Sequence, residues 1–250
     1  MSDGWRTRPG ERQAFVPGRR PVEEALKAGR ARKIVWAGDA KGLHSLLEMA
    51  RQQGVPVEET TVQELDRLSR GARHQGIGAV VEPYRLLTLS ELLEGIPPGE
   101  VPLLVAAGLE DPRNLGALIR SAHAAGAHGL ILPSRRAAPL TPAVEKAAAG
   151  ALAYLPVAQV PGIPQALQEL KKKGLWVVGA DPQARLLYWD LDLTLPVVLV
   201  VGSEGKGLPR LVKERCDFLA AIPMAGPVGS LNASVAGALF LFEARRQRRA

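Results

Sequence analysis

Apolar residues in the first third of the chain recur with helical spacing in some windows and form short runs in others, which predicts short helices mixed with strands. Helical spacing covers 21–28, 43–53 and 61–69, and the runs 34–37, 55–57 and 76–82 are typical of strands. Thr61, with Glu64 three residues later, is a capping-box pattern at the start of the third helix. The pattern predicts a small α/β domain over residues 1–82.

A second pattern begins near residue 103. Strands are predicted over 103–107, 129–132, 155–160, 176–179, 197–201 and 218–222, and helices over 115–125, 142–150, 163–173 and 231–246. The run 197–201 is apolar at every position, as a parallel sheet covered on both faces requires. Residues 103–250 are therefore predicted to form a Rossmann-like α/β domain with a parallel sheet. Ligands bind such sheets at the carboxyl ends of strands, here the loops after Ala107, Val201 and Ile222.

The segment 83–102 separates the two patterns and is rich in proline and glycine from residue 97 onward. Such a composition resists regular structure and suits a linker after one short helix. The predicted organisation is an N-terminal domain over 1–82, a linker over 83–102 and a C-terminal domain over 103–250.

Composition excludes several classes of protein. A chain of 250 residues that is 46% hydrophobic has enough apolar residues for real cores, which argues against disorder. No stretch approaches the roughly 18 to 20 apolar residues of a spanning helix, and the first residues are charged where a secretory signal is apolar, so a cytoplasmic protein is expected. One cysteine and four scattered histidines predict no metal site.

Charge is the first positive signal. The 32 basic side chains against 25 acidic ones leave a net charge of +7, which favours an anionic partner, although a GC-rich or thermophilic genome would also enrich arginine. Aromatic residues make up only 4%, which disfavours a surface that binds RNA mainly by base stacking. Basic arms at both ends are typical of nucleic-acid binding. Their arginines are Arg6, Arg8, Arg12, Arg19 and Arg20, and Arg245, Arg246, Arg248 and Arg249.

The loop after Val201 has three glycines, at 202, 205 and 207. It is not a Walker A loop, because Lys206 is followed by Gly207 and the required spacing is missing, and it is not the dinucleotide fingerprint G-x-G-x-x-G. ATP hydrolysis and NAD binding are thus unsupported. The loop instead allows close approach of backbone to a ligand, with Glu204 as a hydrogen-bond acceptor.

The segment after Ala107 carries Asn114 and Arg120 on a helix predicted to start about Asn114. They are six positions apart, so one ideal helix face does not hold both. A helical arginine is often a solvated or snorkelling side chain, so this segment by itself leaves a structural and a functional interpretation open.

The third loop leads into the last helix. Ser230 is a candidate helix N-cap and Asn232 a polar residue at the helix start, roles that are more often structural than catalytic. Small residues at 233 and 236–238 allow this helix to pack close to another backbone, as in a tight helix crossing or a dimer contact.

Together the three segments resemble the SpoU family of RNA ribose 2′-O-methyltransferases, within the SPOUT superfamily. Residues 111–116 with Arg120 are similar to the first family motif, 202–208 to the second, and 222–224 with 230–234 to the third. Ala233 stands where the third motif usually has valine, which removes volume but no polar group.

The resemblance implies that S-adenosylmethionine donates a methyl group to a ribose 2′-hydroxyl without a metal. The adenosine would lie in a bent cleft between the second and third loops. The implied cofactor-binding residues are Gly202, Ile222 and Leu231, through backbone groups, with Met224 and Leu231 as apolar walls.

The same resemblance implies five catalytic residues: Arg120, Asn114, Glu204, Ser230 and Asn232. Arg120 is the family's candidate base, but a guanidinium with a pKa above about 12 stays charged. The alternative is that Arg120 grips the target phosphate and positions the hydroxyl, while Glu204 or water takes the proton. Asn114 and Asn232 would fix substrate and loops, Glu204 would hold Arg120 or its loop, and Ser230 would contact the substrate.

Residues 18–26 and 73–77 are similar to the enzymes that methylate a guanosine of large-subunit rRNA. This similarity implies 23S rRNA as partner and an L30e-like RNA-binding domain at the N-terminus. It also implies a deep trefoil knot in the C-terminal domain, a topology that chain-connection rules make nearly absent. The family acts as homodimers, in which the partner subunit's arginine can complete a site.

Two other functions are open to this sequence. A tRNA ribose methyltransferase would share all three motifs, but minimal tRNA enzymes lack the extra domain over 18–82. A ribosome-associated RNA-binding protein without catalysis would use the same basic surface, but intact Arg120, Glu204 and Asn232 argue against a decayed site.

Overall fold

The structure is a computed structural model that describes residues 14–39, 42–97, 103–227 and 229–249. The chain divides into two units between Tyr84 and Arg85. Three arginines of the predicted N-terminal arm, Arg6, Arg8 and Arg12, lie outside the described residues.

Within its described residues, the first unit contains a small four-stranded sheet and three helices. Its elements are β1 (Ala14–Pro17), α1 (Arg19–Lys27), β2 (Ala31–Trp36), α2 (His44–Gln52), β3 (Val57–Glu59), α3 (Val62–Ser69) and β4 (Ile77–Val81). The strand order is β1-β4-β2-β3, in which only β2 and β3 pair in parallel. Leu26 and Leu47 on the helices pack with Ile34 and Ile77 of the sheet. The sequence pattern does not predict β1, because four residues are too few to show a period.

The second unit contains a seven-stranded sheet in which every neighbouring pair is parallel. Its elements are α4 (Leu89–Glu94), β5 (Leu103–Ala107), α5 (Pro112–Ala125), β6 (Gly129–Pro133), α6 (Pro142–Ala148), β7 (Val157–Val160), α7 (Ile163–Lys172), β8 (Trp176–Ala180), β9 (Leu186–Leu187), β10 (Val197–Gly202), α8 (Arg210–Lys213), β11 (Phe218–Ala221) and α9 (Ala233–Arg249). The predicted parallel α/β domain is therefore present. The very short β9 and α8 carry no detectable sequence period.

The sheet order β7-β6-β5-β10-β8-β11-β9 decides which loops become neighbours. Strand β10 lies between β5 and β8, although many residues separate it from β5 in the chain. All six residues of β10 are buried, which agrees with the apolar run that predicts a covered strand. The carboxyl ends of β5, β10, β8 and β11 thus lie along one edge of the sheet.

Part of the predicted linker packs into the second unit instead of joining two domains loosely. Thr88 and Glu91 form a complete capping box at the start of α4, and Leu89 and Leu92 are buried in the core. Leu87 also exchanges backbone hydrogen bonds with the β7 region, from its own N–H to the Val157 oxygen at 2.9 Å and back from Gln159 at 2.9 Å. The physical reason is that burial of the leucines stabilises this segment, and this free energy exceeds the cost of the backbone hydrogen bonds that its prolines cannot form. Residues 98–102 of the predicted linker lie outside the described part of the chain.

Candidate active site

A cavity lies at the carboxyl ends of β8, β10 and β11, where the loops after these strands meet. It encloses about 690 Å³ of space between protein atoms, part of it open to solvent. Its lining includes every predicted cofactor-binding residue and two predicted catalytic ones: Gly202, Ile222, Met224, Leu231, Glu204 and Ser230. The cavity thus lies at the carboxyl edge of the sheet, where the sequence predicts that a ligand binds.

The chemistry of the lining suits S-adenosylmethionine. Ile222, Leu231 and Phe240 supply apolar surface of the kind that an adenine ring packs against, and Glu204 and Asp181 place carboxylates around a space that a sulfonium cation would enter. The residues present therefore fit the donor.

The loop after β10 closes on itself through two backbone hydrogen bonds. Ser203 N–H donates to the Gly207 oxygen at 3.1 Å, and Gly207 N–H donates to the Ser203 oxygen at 2.9 Å. Gly205 and Gly207 have positive φ angles of 77° and 62°, which glycine adopts without strain. A Cβ atom on Gly202 would collide with the Gly207 backbone. The glycines are thus required by this turn, which holds Glu204 at the cavity.

Three predicted catalytic side chains form one hydrogen-bonded cluster. Asn114 Nδ2 donates to Glu204 Oε2 at 3.0 Å, and Asn232 Nδ2 donates to Asn114 Oδ1 at 2.9 Å and lies 3.4 Å from Glu204 Oε2. The three residues come from the loops or helix starts after β5, β10 and β11. The other carboxylate oxygen, Glu204 Oε1, accepts no hydrogen bond from the described residues. The cluster therefore joins the three family motifs and leaves one acceptor atom for a substrate.

Local capping places Asn114 and Asn232 in the cluster. Helix α5 begins at Pro112, two residues before the predicted start, because Asp111 Oδ1 accepts from Arg113 N–H at 2.7 Å and proline suits the first turn. Helix α9 begins at Ala233, and Asn232 Oδ1 accepts from Ser234 N–H at 2.9 Å. The predicted N-cap Ser230 is therefore wrong: the cap is Asn232, since Ser230 precedes the helix by three residues.

Arg120 is not part of this cluster. It lies on α5 about 9 Å along the helix axis from Asn114, at a rise of about 1.5 Å per residue. Its side chain is exposed and does not line the cavity. It forms no hydrogen bond or ion pair with any residue that the structure describes. The expected contact between Glu204 and Arg120 is thus not formed, because Glu204 binds the two asparagines instead.

Asp181 is not among the predicted site residues, but it lines the cavity directly after β8 and is only 7% exposed. Lys213 Nζ lies 2.6 Å from its Oδ2 atom, and Gln183 N–H donates to its Oδ1 at 3.1 Å. Burial raises the pKa of Asp181, but these hydrogen bonds and the charge of Lys213 outweigh burial and lower it below its ordinary value. Its place at the carboxyl end of an apolar strand is the sequence signal that identifies it.

The first unit holds a separate polar cavity, lined by Arg19, Arg73, His74 and Gln75 among others. Gln75 has a left-handed φ of 55°, and its Oε1 accepts from Arg19 N–H at 3.2 Å. His74 Nδ1 accepts from Gly76 N–H at 3.0 Å. His74 and Gln75 therefore form the turn before β4 and also border a basic cavity.

The described part of the predicted C-terminal basic arm, residues 245–249, is helical and forms the end of α9. Glu243 binds Arg246 at 2.7 Å, and Arg248 donates to the Leu193 oxygen at 3.0 Å, so these two arginines hold the helix end in place. No group of residues in the described ranges could hold a metal ion. None of the helices described is long and apolar enough to cross a membrane.

Two family models match this chain. The model described as "SpoU rRNA Methylase family" matches residues 102–242, and the model described as "RNA 2'-O ribose methyltransferase substrate binding" matches residues 15–87. The first match contains the Asn114–Glu204–Asn232 cluster and the cavity. The second covers nearly all of the described part of the first unit.

Individual proteins are similar over most of the chain. YacO of Bacillus subtilis (strain 168), assigned to the TrmH family of tRNA/rRNA methyltransferases, is 43% identical and is matched over 94% of this chain and 96% of its own. The 23S rRNA (guanosine-2'-O-)-methyltransferase RlmB of Pseudomonas putida is 44% identical over 86% of this chain and 89% of its own. The crystal structure of the SpoU methyltransferase AviRb from Streptomyces viridochromogenes in complex with the cofactor AdoMet has a TM-score of 0.80 at 29% identity, over 95% of this chain and 91% of that one.

Sequence motifs, fold and cavity agree with these comparisons. The similarity extends over both units, and it includes a solved structure with S-adenosylmethionine bound. The chain belongs to the SpoU rRNA methylase family of RNA 2′-O-methyltransferases, which use S-adenosylmethionine.

Proposed function

We propose that this chain methylates the ribose 2′-hydroxyl of a guanosine in 23S rRNA. The observation that carries the proposal is the Asn114–Glu204–Asn232 cluster beside a cavity that fits the methyl donor. The similarity to RlmB of Pseudomonas putida supports 23S rRNA as substrate, and the match of residues 15–87 to a substrate-binding model supports RNA recognition by the first unit.

The cavity residues hold the donor. Gly202, Ile222 and Leu231 offer backbone groups, and Met224 and Leu231 offer apolar surface. When bound, S-adenosylmethionine supplies an electrophilic methyl group to the ribose oxygen. The closed turn after β10 keeps Glu204 fixed while the donor enters, so no large rearrangement of this loop is required.

We assign different roles to Glu204 and Arg120, because only Glu204 belongs to the hydrogen-bonded cluster. The two asparagines hold Glu204 through Oε2, and Oε1 is the atom that accepts the hydrogen bond of the 2′-hydroxyl as its proton leaves. Arg120 stays charged, so it grips the target phosphate and positions the hydroxyl. Ser230 borders the cavity and contacts the substrate.

The assembly is a homodimer in which each Arg120 serves the partner's site. Its distance from Asn114 along α5 supports this arrangement, as do Val235 and Phe242, two half-exposed apolar residues seven positions apart on α9. We further propose an L30e-like fold for the first unit and a trefoil knot in the second. The similarity over both units to the SpoU methyltransferase AviRb supports these two proposals.

The test is methyl transfer from labelled S-adenosylmethionine to separate rRNA and tRNA pools, with the wild type beside Arg120→Ala, followed by mapping of the modified ribose. We expect label in large-subunit rRNA from the wild type and a loss of at least about a hundredfold in the variant, as for removal of a group that positions a reactant.

Label in tRNA alone would support ribose methylation but contradict 23S rRNA as the substrate. Tight RNA binding without label, also on partly assembled large subunits, would favour the RNA-binding protein without catalysis. Wild-type rates in both Arg120→Ala and Arg120→Lys would remove Arg120 from the mechanism.

A further inference from the structure

Two arginines in the loop after β6 lie at the edge of the sheet that carries the candidate active site. Arg135 and Arg136 follow β6, whose neighbour in the sheet is β5. Ala138 N–H donates to the Leu109 oxygen at 2.8 Å, so the loop after β6 is tied to the loop that leads to Asn114. Leu109 and Ala138 are both buried, which anchors this connection in the core.

The charges of Arg135 and Arg136 are not neutralised within the described part of the chain. Both side chains are exposed, and neither forms an ion pair or hydrogen bond with a described residue. Three other exposed arginines of the second unit are bound by glutamates, in the pairs Arg85–Glu91, Arg210–Glu214 and Arg246–Glu243, whereas exposed Arg113 and Arg120 form no such pair with a described residue. Arg135 and Arg136 are therefore available to an external anion.

The backbone at Arg136 does not require an arginine. Its φ of 59° lies in the left-handed region, which glycine adopts more easily than any residue with a Cβ atom. When a residue other than glycine occupies this conformation, its side chain is a candidate for a functional role. The charge of Arg136 does not stabilise the sheet, because β6 ends at Pro133, before this residue.

The neighbouring charges leave this edge positive. Arg113 in the first turn of α5 and Lys206 on the loop after β10 are exposed, as are the acids Glu110, Asp111 and Glu204. Asp111 is the N-cap of α5, and Glu204 is held by the two asparagines. With Arg135 and Arg136 included, four basic side chains stand against three acidic ones. An anion that reaches the active site from the β6 side therefore meets more positive than negative charge.

We infer that Arg135 and Arg136 bind backbone phosphates of the RNA strand next to the target nucleotide. The planar guanidinium forms two parallel hydrogen bonds to a phosphate, which suits a strand that must lie in one register across the site. This inference rests on the proposed function, since it names the surface along which the RNA reaches the cluster.

The test is the salt dependence of binding to deproteinised 23S rRNA, measured by filter binding from about 50 to about 300 mM KCl. For Arg135→Gln combined with Arg136→Gly, we expect affinity about tenfold lower near 100 mM salt and a slope smaller by about 1.4 to 1.8, for two lost phosphate contacts. Arg136→Gly relieves the left-handed strain, so the melting temperature should hold or rise. The affinity for S-adenosylmethionine should stay within about twofold, because neither arginine lines the cavity.

The matched control is Lys172→Gln with Lys173→Gln. These two exposed lysines follow each other at the end of α7, just before β8 begins, and therefore lie at the opposite edge of the sheet. The control removes the same net charge from another position. If the position of the charge decides RNA binding, the control should keep the wild-type slope of affinity against salt concentration.

An equal loss in both double variants would overturn the inference, because it would reduce the effect to net charge. A wild-type slope in the arginine variant would also overturn it. These outcomes do not depend on catalysis: a wild type that binds rRNA without methylating it contradicts the proposed function, while the comparison of slopes still decides the role of Arg135 and Arg136.

Discussion

At the scale of residues, Asn232 has two separable tasks. Its Oδ1 caps α9 through Ser234, and its Nδ2 donates to Asn114 and approaches Glu204. A side chain that can cap the helix but cannot reach the cluster would keep the first task and lose the second. Serine is such a residue, since it is a good N-cap but is too short to replace the amide donor.

We predict that Asn232→Ala lowers the free energy of unfolding by about 1 to 2 kcal/mol, the usual cost of a lost cap. Asn232→Ser should stay within about 0.5 kcal/mol of the wild type in urea unfolding. Both variants should lose methyl transfer by more than about tenfold, because neither can donate to the cluster. Full activity of Asn232→Ser would show that Asn232 only caps the helix.

The Asp181–Lys213 pair gives a prediction about pH. The pKa of Asp181 is lowered in the folded protein, so the pair stabilises the fold fully above the unfolded value of about 3.9 and loses this contribution as the pH falls through the folded value. Asp181→Asn should therefore lower the free energy of unfolding by about 1 to 3 kcal/mol at pH 7. Loss of one partner of a fully buried ion pair would cost more, but Lys213 is partly exposed.

This cost should shrink in urea unfolding below about pH 4, because Asp181 of the unfolded chain then takes up a proton and Asp181 of the folded protein follows at its lower pKa. The exposed Asp190 provides the control. Asp190→Asn should change stability by less than about 0.5 kcal/mol at pH 7. A cost of Asp181→Asn that stays constant down to about pH 3 would contradict the assignment of the effect to the ion pair.

At the scale of elements, glycines set how closely α5 packs with its neighbours. A Cβ atom on Gly116 of α5 would meet Ala147 of α6 and would lie 2.7 Å from the Val144 oxygen. Gly237 of α9 similarly faces Leu118 of α5, because a Cβ atom on this glycine would lie 2.5 Å from the leucine Cδ1. The small residues of the last helix therefore form a tight crossing within the chain, one of the two interpretations open from sequence.

We predict that Gly116→Ala destabilises the protein by about 1 to 3 kcal/mol, although alanine is the better helix former by about 1 kcal/mol. The reason is that the α6 backbone cannot move away without disturbing the core. Gly95→Ala is the matched control, because a Cβ atom there meets only ordinary contacts at 3.6 Å. It should hold or raise the melting temperature. A stabilised Gly116→Ala would show that α5 and α6 can separate at little cost.

Element types follow from the sequence more closely than element ends. The apolar run of β10 and the helical spacing of α7 suffice to predict both, but α5 and α9 begin where Asp111 and Asn232 cap them. The pattern at Thr61 forms only half of a capping box, because Glu64 turns to Arg67 instead of back to Thr61. The complete box occurs at Thr88, inside the segment predicted as a linker.

At the scale of the whole molecule, the position of Arg120 makes the proposed dimer testable. We predict that Arg120→Ala and Glu204→Ala are each inactive, and that co-expression of the two with different affinity tags restores activity. In a mixed C2 dimer one site receives an intact Glu204 and an intact Arg120 from opposite subunits, so random pairing yields about a quarter of the wild-type activity.

If Arg120 acts in its own subunit, every site in the mixed sample lacks one of the two groups and no activity returns. Isolation of the doubly tagged fraction is the control, because it shows whether mixed dimers form. In that purified fraction the expected activity rises to about half of the wild type, with one good site in each dimer.

The amino-acid pattern is enough to predict the α/β class, the three loops that carry chemistry and the residue types of the site. These follow from periodicity and from short motifs, which act over a few neighbouring residues. The folded chain shows three features that the pattern does not contain: Asn114, Glu204 and Asn232 share hydrogen bonds, Arg120 is not bonded to them, and Asp181 lines the cavity. These contacts depend on the insertion of β10 between β5 and β8, and strand order in a sheet is set by packing between distant parts of the chain, which no local pattern records.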